Sequence, residues 1–491
     1  MKAALGRAEA VALALAVAGL SLLLWTAGRF EPWITPDTAS YFDLGPLPES
    51  LGQMRNPLYG WLAAPFMAGG SSFAAIPLVQ TALYFGAVCF LYATVRTYGL
   101  SLRAGASMAA ALLLANVVLI WNNAVHPELP AVAFSIVGVA LAFRMAAGGR
   151  IAFHAVPFGL ALGLAYVLRP TFLPSFLVFP LLYLALARLR GTKAGAGRVL
   201  AVALAGALPF LAVSGARQAV VGDFNVVSFG GFQLSGMAGL MLTHEIAGEL
   251  PEDLRPLARE IVDRRSAAEQ RGAVIAVPRN STGQRSFVSA ALGYFDIFAR
   301  THDEVLYGVV APLRHPGETW VAFDRRMMRL SLATLRAAPE RYVAWLVGAT
   351  TRFLGHAVAT NAPFLLALLG LAVLFPLHVW RGAPASAGTA STQARPAMSA
   401  QVHPDISAQV RLDVNALLCL TLLYAVSAGI LMVVVTFPAL RYIDTAALFL
   451  PTLPFYALLG LARGTRRRPD VPAARQSTSA VRNEDGRWIP S

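Results

Sequence analysis

Apolar runs of roughly 18 or more residues recur along this chain, and each is long enough to cross a hydrocarbon core of about 30 Å. That repetition restricts the backbone severely. In lipid every N–H and C=O must be satisfied within the segment, which leaves α-helices for runs of this length. Composition agrees: of 491 residues 56% are hydrophobic and only 13% charged, with a mean hydropathy of +0.58, whereas soluble proteins carry about 25% charged residues. The chain therefore reads as an all-α polytopic membrane protein. Its net charge of +14 does not mark a nucleic-acid partner, because the basic residues fall in short clusters between apolar runs and form no continuous basic face.

Ten spans fit best, at roughly 8–28, 73–95, 104–121, 128–143, 151–168, 171–187, 199–220, 361–380, 413–435 and 442–461. With the N-terminus inside, seventeen basic residues fall on the cytoplasmic side. The short outer segments hold only Arg29, Arg55, Arg169 and Arg441, which sets the orientation by the positive-inside bias. The apolar stretch from Tyr342 to Thr360 reads as an interfacial or re-entrant helix, since counting it as a span would move the Arg466–Arg468 cluster outside. The first run, behind Lys2 and Arg7, is too long for the apolar core of a signal peptide and reads as an uncleaved first helix. Cys89 and Cys419 both lie in apolar runs, where they behave as small core residues.

This organisation divides the chain into four parts. Residues 1–220 form an N-terminal transmembrane module whose first outer loop spans 29–72. Residues 221–360 form a helical extracytoplasmic region, with amphipathic periodicity in Pro251–Gln270, Ser286–Val310 and Asp324–Leu335. So long a connection calls for a function of its own and is expected to lie over an active site. Residues 361–463 form a C-terminal transmembrane module, interrupted by an Ala-, Ser- and Pro-rich cytoplasmic linker at 382–411 that reads as disordered. Residues 464–491 are a polar, basic tail, also read as disordered and close to the anionic inner leaflet.

Charged residues at the ends of spans are costly and are functional candidates by default. Asp37, Asp43, Arg55, His126, Glu128, Arg169, Arg441 and Asp444 all fall at the outer boundary, and no comparable acidic set falls at the inner one. Each has an ordinary structural account as well. Asp37 after Pro36 can cap a short helix, Asp43 suits a turn, and Arg55 can snorkel to the interface. Glu128 is favoured at a helix N-terminus, Arg169 and Arg441 can anchor helix ends, and Asp444 can pair with Arg441. Their convergence on one side from separate parts of the chain is what those accounts leave unexplained. Carboxylates suit general-base work, and guanidinium groups suit a phosphate, which they bind bidentately without losing charge. Together they predict a polar cavity open to the outside that carries out group transfer from a phospholipid donor. No P-loop, dinucleotide fingerprint, zinc-protease His pair or nucleophile elbow occurs, and Phe229-Gly-Gly-Phe232 lacks the context of a phosphate loop. A flippase or transporter of a lipid-linked or anionic substrate is the alternative. It would call for paired repeats and midplane charges reachable from both sides.

The chain resembles the GT-C superfamily of integral membrane glycosyltransferases, and within it the branch of protein O-mannosyltransferases and lipid A aminoarabinose transferases. The resemblance rests on a series of short motifs in the family's order. They are Asp37-Thr38-Ala39-Ser40-Tyr41, Arg55-Asn56-Pro57-Leu58-Tyr59-Gly60-Trp61-Leu62, His126-Pro127-Glu128-Leu129 and the glycine-rich run from Gly159 through Arg169-Pro170-Thr171. Ala338-Pro339-Glu340-Arg341-Tyr342 and Arg441-Tyr442, with Pro451 to Pro454 beyond, complete the set. Thr38 stands where the family often has an acidic residue, and Arg55 where the aminoarabinose branch has Lys, which leaves the subfamily and the acceptor open. The resemblance implies a polyprenyl-phosphate-linked sugar donor used at the outer leaflet of a bacterial inner membrane, with inversion at the anomeric carbon. It implies Asp37 and Glu128 as catalytic carboxylates, with Asp37 as base or acceptor-orienting group and Glu128 positioning sugar or acceptor. Arg55, Arg169 and Arg441 would hold the lipid phosphate, and Tyr41, Asp43, Tyr59, His126, Tyr442 and Asp444 would contribute to substrate binding. The acceptor would be a glycan, a lipid or a protein. Members of the branch differ in whether they need a divalent cation, and no dedicated metal cage is visible in this sequence.

Overall fold

The computed structural model describes residues 6–42, 45, 49–67, 72–274, 276, 286–293, 295–382, 404–464, 481–482 and 488–489. Apart from a two-residue antiparallel pairing of Val481–Arg482 with Trp488–Ile489, its regular elements are helical. Among the described residues seven helices are long and apolar enough to cross a membrane, or eight if one bent pair is counted as a single span. The protein is accordingly a multi-pass helical membrane protein.

The first half of the bundle contains α1 (Arg7–Thr26), α2 (Leu58–Ala63), α3 (Ile76–Tyr98), α4 (Leu102–Leu113), α5 (Glu128–Ala146), α6 (Ile151–Leu168), α7 (Ser175–Leu189) and α8 (Ala196–Val221). Helix α5 is the hub: it is buried along almost its whole length and packs against α3, α6 and α7. Helices α6 and α8 approach backbone to backbone, because a Cβ at Gly159 would collide with the Ala205 carbonyl and one at Gly163 with the Pro209 ring. Small residues four apart on a membrane helix commonly serve this purpose. Glu9 near the start of α1 accepts from Tyr92 and pairs with Arg96, which ties α1 to the far end of α3.

The region between the two halves of the bundle carries a second hydrophobic core, built around α9 (Gly230–Met241), α10 (Arg255–Gln270), the segments 287–293 and 295–310 and α11 (Trp320–Ala337). The three amphipathic stretches expected there are largely helical among the described residues: the first from Arg255, the second as the short segments 287–293, 295–299 and 301–310, and the third throughout. Helix α9 was not anticipated. It is nearly all buried against α11, and its glycines permit the approach: a Cβ at Gly231 would meet the backbone of Asp324.

The chain then continues through α12 (Pro339–Ala359), α13 (Ala362–Gly382), α14 (Pro404–Val435), α15 (Leu440–Ala446) and α16 (Thr452–Gly464). Helices α12 and α13 meet at a 59° bend, as a broken span or re-entrant loop does. Three of the ten expected spans therefore take other forms. The run 171–187 is a 3-10 turn at Pro170–Phe172 followed by α7, too short to count as a full span; 361–380 is one arm of the bent pair; and 442–461 is broken between α15 and α16. Prolines explain two of these breaks. Pro170 and Pro174 interrupt the first and Pro451, just ahead of α16, the last, each removing a backbone donor. Helix α14 begins at Pro404, inside the stretch read as a linker; residues 383–403 and most of the tail lie outside the described residues.

Candidate functional site

Two loops far apart in sequence are zipped together at one end of the bundle. The Trp33 N–H donates to Asn123 O at 2.8 Å and the Val125 N–H to Trp33 O at 3.0 Å, forming a single parallel bridge. Asn122 and Asn123 donate their side-chain amides to the carbonyls of Arg29 and Glu31. Thr38, the position that departs from the acidic motif, closes the zip: its hydroxyl receives the Thr35 N–H at 2.9 Å and donates to Val125 O at 3.1 Å. The result places Asp37, at the turn, beside Glu128, the first residue of α5.

Around them the charges alternate. Asp37 holds Arg55 through Oδ1 at 3.3 Å and Arg441 through Oδ2 at 3.1 Å. Arg441 also lies 3.7 Å from Glu128, whose two oxygens contact Arg169 and His126. The sequence Arg55–Asp37–Arg441–Glu128–Arg169 is thus a continuous network of three guanidinium groups and two carboxylates, with one positive charge in excess. Glu128 and Arg169 are almost wholly buried, at 3% and 6% side-chain exposure, whereas Asp37 and Arg441 retain about a quarter of theirs. Burying such a network is costly unless every charge is paired, and here pairing is nearly complete. Burial pushes the Asp37 carboxyl up, but Arg55 and Arg441 outweigh it and hold the group below the ordinary aspartate range.

Tyrosines line the network. The Tyr41 hydroxyl accepts from Arg169 at 3.4 Å, and the Tyr442 hydroxyl accepts from Arg441 at 3.1 Å, with Arg169 4.5 Å from the Tyr442 ring centre. Tyr59 packs edge-on against Tyr41 at 5.6 Å, and its own hydroxyl is buried without a partner. The structure therefore brings together Asp37, Tyr41, Arg55, Tyr59, His126, Glu128, Arg169, Arg441 and Tyr442. Asp444 stands apart. It accepts from Asn116 at 2.9 Å and Trp121 at 3.1 Å, which ties α15 to the turn before α5 rather than pairing with Arg441. Asp43 lies outside the described residues.

Residues packed on the second core also touch this cluster. Phe229 lies 4.5 Å under the Arg55 guanidinium, and through Phe232 it connects to Tyr307 by ring contacts of 5.7 and 5.8 Å. Burial pushes the Tyr307 hydroxyl up to about 12, with Arg55 pulling it down and Asp37 opposing that pull. Asp303, held below the ordinary range first by the hydrogen bond with His302, also feels Arg441. Phe229, Tyr307 and Asp303 carried no distinguishing signal in the sequence, because only the packing of the second core brings them near. Among the described residues no group of three or more His, Cys, Asp or Glu side chains is placed to hold a metal ion.

The fold and this cluster define a multi-pass helical membrane protein with a buried, net-positive charge network at one end of its bundle. No protein-family model, curated protein or solved structure matches the chain.

Proposed function

We propose that this protein is a membrane glycosyltransferase, which moves a sugar from a polyprenyl-phosphate-linked donor to an acceptor at the extracytoplasmic face of a bacterial plasma membrane. The observation that carries the proposal is the alternating network with one uncompensated positive charge. A phosphodiester carries one negative charge and completes it. The order of the sequence motifs, which resembles the GT-C glycosyltransferases, supplies the reaction class.

In this reading Arg55, Arg169 and Arg441 hold the donor phosphate, which requires fixed positive charge as the glycosidic bond breaks. The acceptor oxygen bonds to the anomeric carbon from the opposite face. The bond from that carbon to the phosphate oxygen breaks, and its electron pair stays on the phosphate. The acceptor's proton passes to Asp37. A carboxylate gripped by two guanidinium groups is a weak base, so the order of events matters. Phosphate binding competes with Asp37 for Arg55 and Arg441, and a carboxylate released from those partners regains basicity. Glu128, buried against Arg169 and His126, keeps the Arg169 guanidinium oriented while this exchange takes place.

Thermal shifts of the purified full chain with a polyprenyl phosphate and with the matching uncharged polyprenol test the phosphate clamp. The phosphate is expected to raise Tm, the polyprenol to leave it near the lipid-free value, and Arg441→Gln to abolish the difference. Equal stabilisation by both lipids would remove the basis of the proposal.

A further inference from the structure

The segment after Arg300 repeats its burial every four residues. Thr301 and His302, Val305 and Leu306, and Val309 and Val310 are buried, whereas Asp303, Glu304, Tyr307 and Gly308 are exposed. The period fits the backbone, because Glu304–Val310 is a π-helix, a widened form that is rare and occurs frequently at functional sites. One face anchors the segment in the second core, and the other presents a carboxylate, a phenol ring and a glycine together. The Asp303 side chain is 69% exposed and Tyr307 47% exposed. A Cβ added at Gly308 would meet nothing within 4 Å, so the face opens onto free space.

That face adjoins the accessible side of the charge network. Phe229, Phe232 and Tyr307 form a row of rings leading away from the Arg55 guanidinium. After burial, the charges acting on the Tyr307 hydroxyl are those of Arg55, Asp37 and Asp303. Asp303, governed first by its hydrogen bond with His302, also feels Arg441. Asp37 and Arg441 are the members of the network that keep about a quarter of their surface, while Glu128 and Arg169 behind them are sealed. One Asp303 oxygen is held by His302 Nδ1 at 3.2 Å. Among the described residues its other oxygen has no partner, and no guanidinium pairs with it.

We propose that the Asp303–Tyr307 face is the acceptor subsite of the transfer, and that it takes an uncharged sugar with adjacent hydroxyl groups. This rests on reading Asp37 and the arginines as the transfer site, and it names the acceptor class used there. An ionised carboxylate only accepts hydrogen bonds, and its oxygens offer several lone-pair sites. Two carboxylates, Asp303 and Asp37, therefore call for an acceptor with two neighbouring donors, which a vicinal diol supplies and a single serine or threonine hydroxyl does not. The exposed Tyr307 ring gives a rigid, largely apolar plate for the face of a pyranose. Asp303 and Glu304 repel a phosphorylated or acidic acceptor, so the same face that admits a neutral sugar rejects an anionic one. With one hydroxyl held by Asp303, its neighbour is directed at Asp37. That oxygen bonds to the anomeric carbon as the bond to the donor phosphate breaks, and its proton passes to Asp37.

Saturation-transfer NMR on the purified full chain tests the subsite without turnover, with methyl pyranosides, a serine- and threonine-containing peptide and a hexose phosphate as probes. The methyl pyranosides are expected to receive saturation. Their apparent Kd should rise about tenfold or more in Asp303→Asn, the scale of a lost hydrogen bond to a charged group. Tyr307→Ala, which removes the ring, and Gly308→Leu, which fills the free space, should weaken binding as well. These positions are exposed, so the melting temperatures of the variants should stay near that of wild type. A fully O-methylated pyranoside keeps the ring but has no hydroxyl, and should bind wild type and Asp303→Asn equally weakly. Saturation of the peptide or the hexose phosphate in place of the pyranosides overturns the proposal, as does pyranoside binding that is absent or unchanged in the variants. The transfer reading is judged separately by the effect of polyprenyl phosphate on Tm. A chain that binds pyranosides through Asp303 without that effect keeps the sugar subsite and loses the transfer reading.

Discussion

Glu128 and Arg169 are each nearly sealed from water, so neither charge can be removed without stranding the other. Deleting one partner of a buried ion pair costs about 3–5 kcal/mol, because the remaining charge stays desolvated. Glu128→Gln is therefore expected to lower the denaturant midpoint of purified protein markedly, whereas Asp37→Asn, at a more open position, should lower it much less. Equal losses would contradict the burial gradient across the network. A second residue-scale prediction concerns Asp324 on α11, which accepts the Phe232 N–H at 2.8 Å at the start of α9. Burial raises its carboxyl to about 6. A folded-state value above the ordinary 3.8 means that the folded form binds the proton more tightly. The associated stability is full below about pH 4 and is lost as pH rises through about 6, a difference of roughly 3 kcal/mol. Asp324→Asn keeps an acceptor for Phe232 and removes the titration, so its melting temperature should vary less between pH 5 and pH 7.5 than that of wild type. Identical pH profiles would show that Asp324 is not the group responsible.

At the scale of elements, seven of the spans could be read from the sequence because length and apolarity alone determine them. The remaining forms depended on context that hydropathy averages away. Pro451 divides an apolar run that otherwise looks continuous, and the α12–α13 bend turns one long apolar stretch into two arms. Helix α9 escaped notice because Gly-Gly-Phe-Gln-Leu-Ser-Gly lacks an amphipathic period, being buried on nearly all sides. The candidate site was legible in its charged residues, since charge at a span end is conspicuous. Its assembly was not, because the bridge between Trp33 and Ala124 joins two loops whose pairing has no local signature. Asp444 shows the limit of sidedness: it shares an end with Arg441, yet Asn116 and Trp121 occupy it. Gly159 gives a direct element-scale test. A Leu there would separate α6 from α8, and is expected to reduce the yield of folded protein in detergent, while Leu at the uncrowded Gly215 on α8 should be tolerated. Comparable yields from both would show that the α6–α8 approach is not as tight as described.

At the scale of the whole molecule, two cores divide the work. The membrane bundle holds the charge network at one end, and the second core lays Phe229 and the 301–310 segment across it. This arrangement shelters much of a polar cluster from water. The most direct test is transfer of radiolabelled sugar from polyprenyl-phosphate donors in membranes containing wild type, Asp37→Asn or Arg441→Gln protein at matched folded levels. Transfer by wild type that falls by two or more orders of magnitude in Asp37→Asn, the scale typical of a lost general base, is the expected result. If wild type transfers nothing from any donor while lipid-linked sugar changes leaflet in its presence, the account is contradicted and the network belongs to a transport pathway.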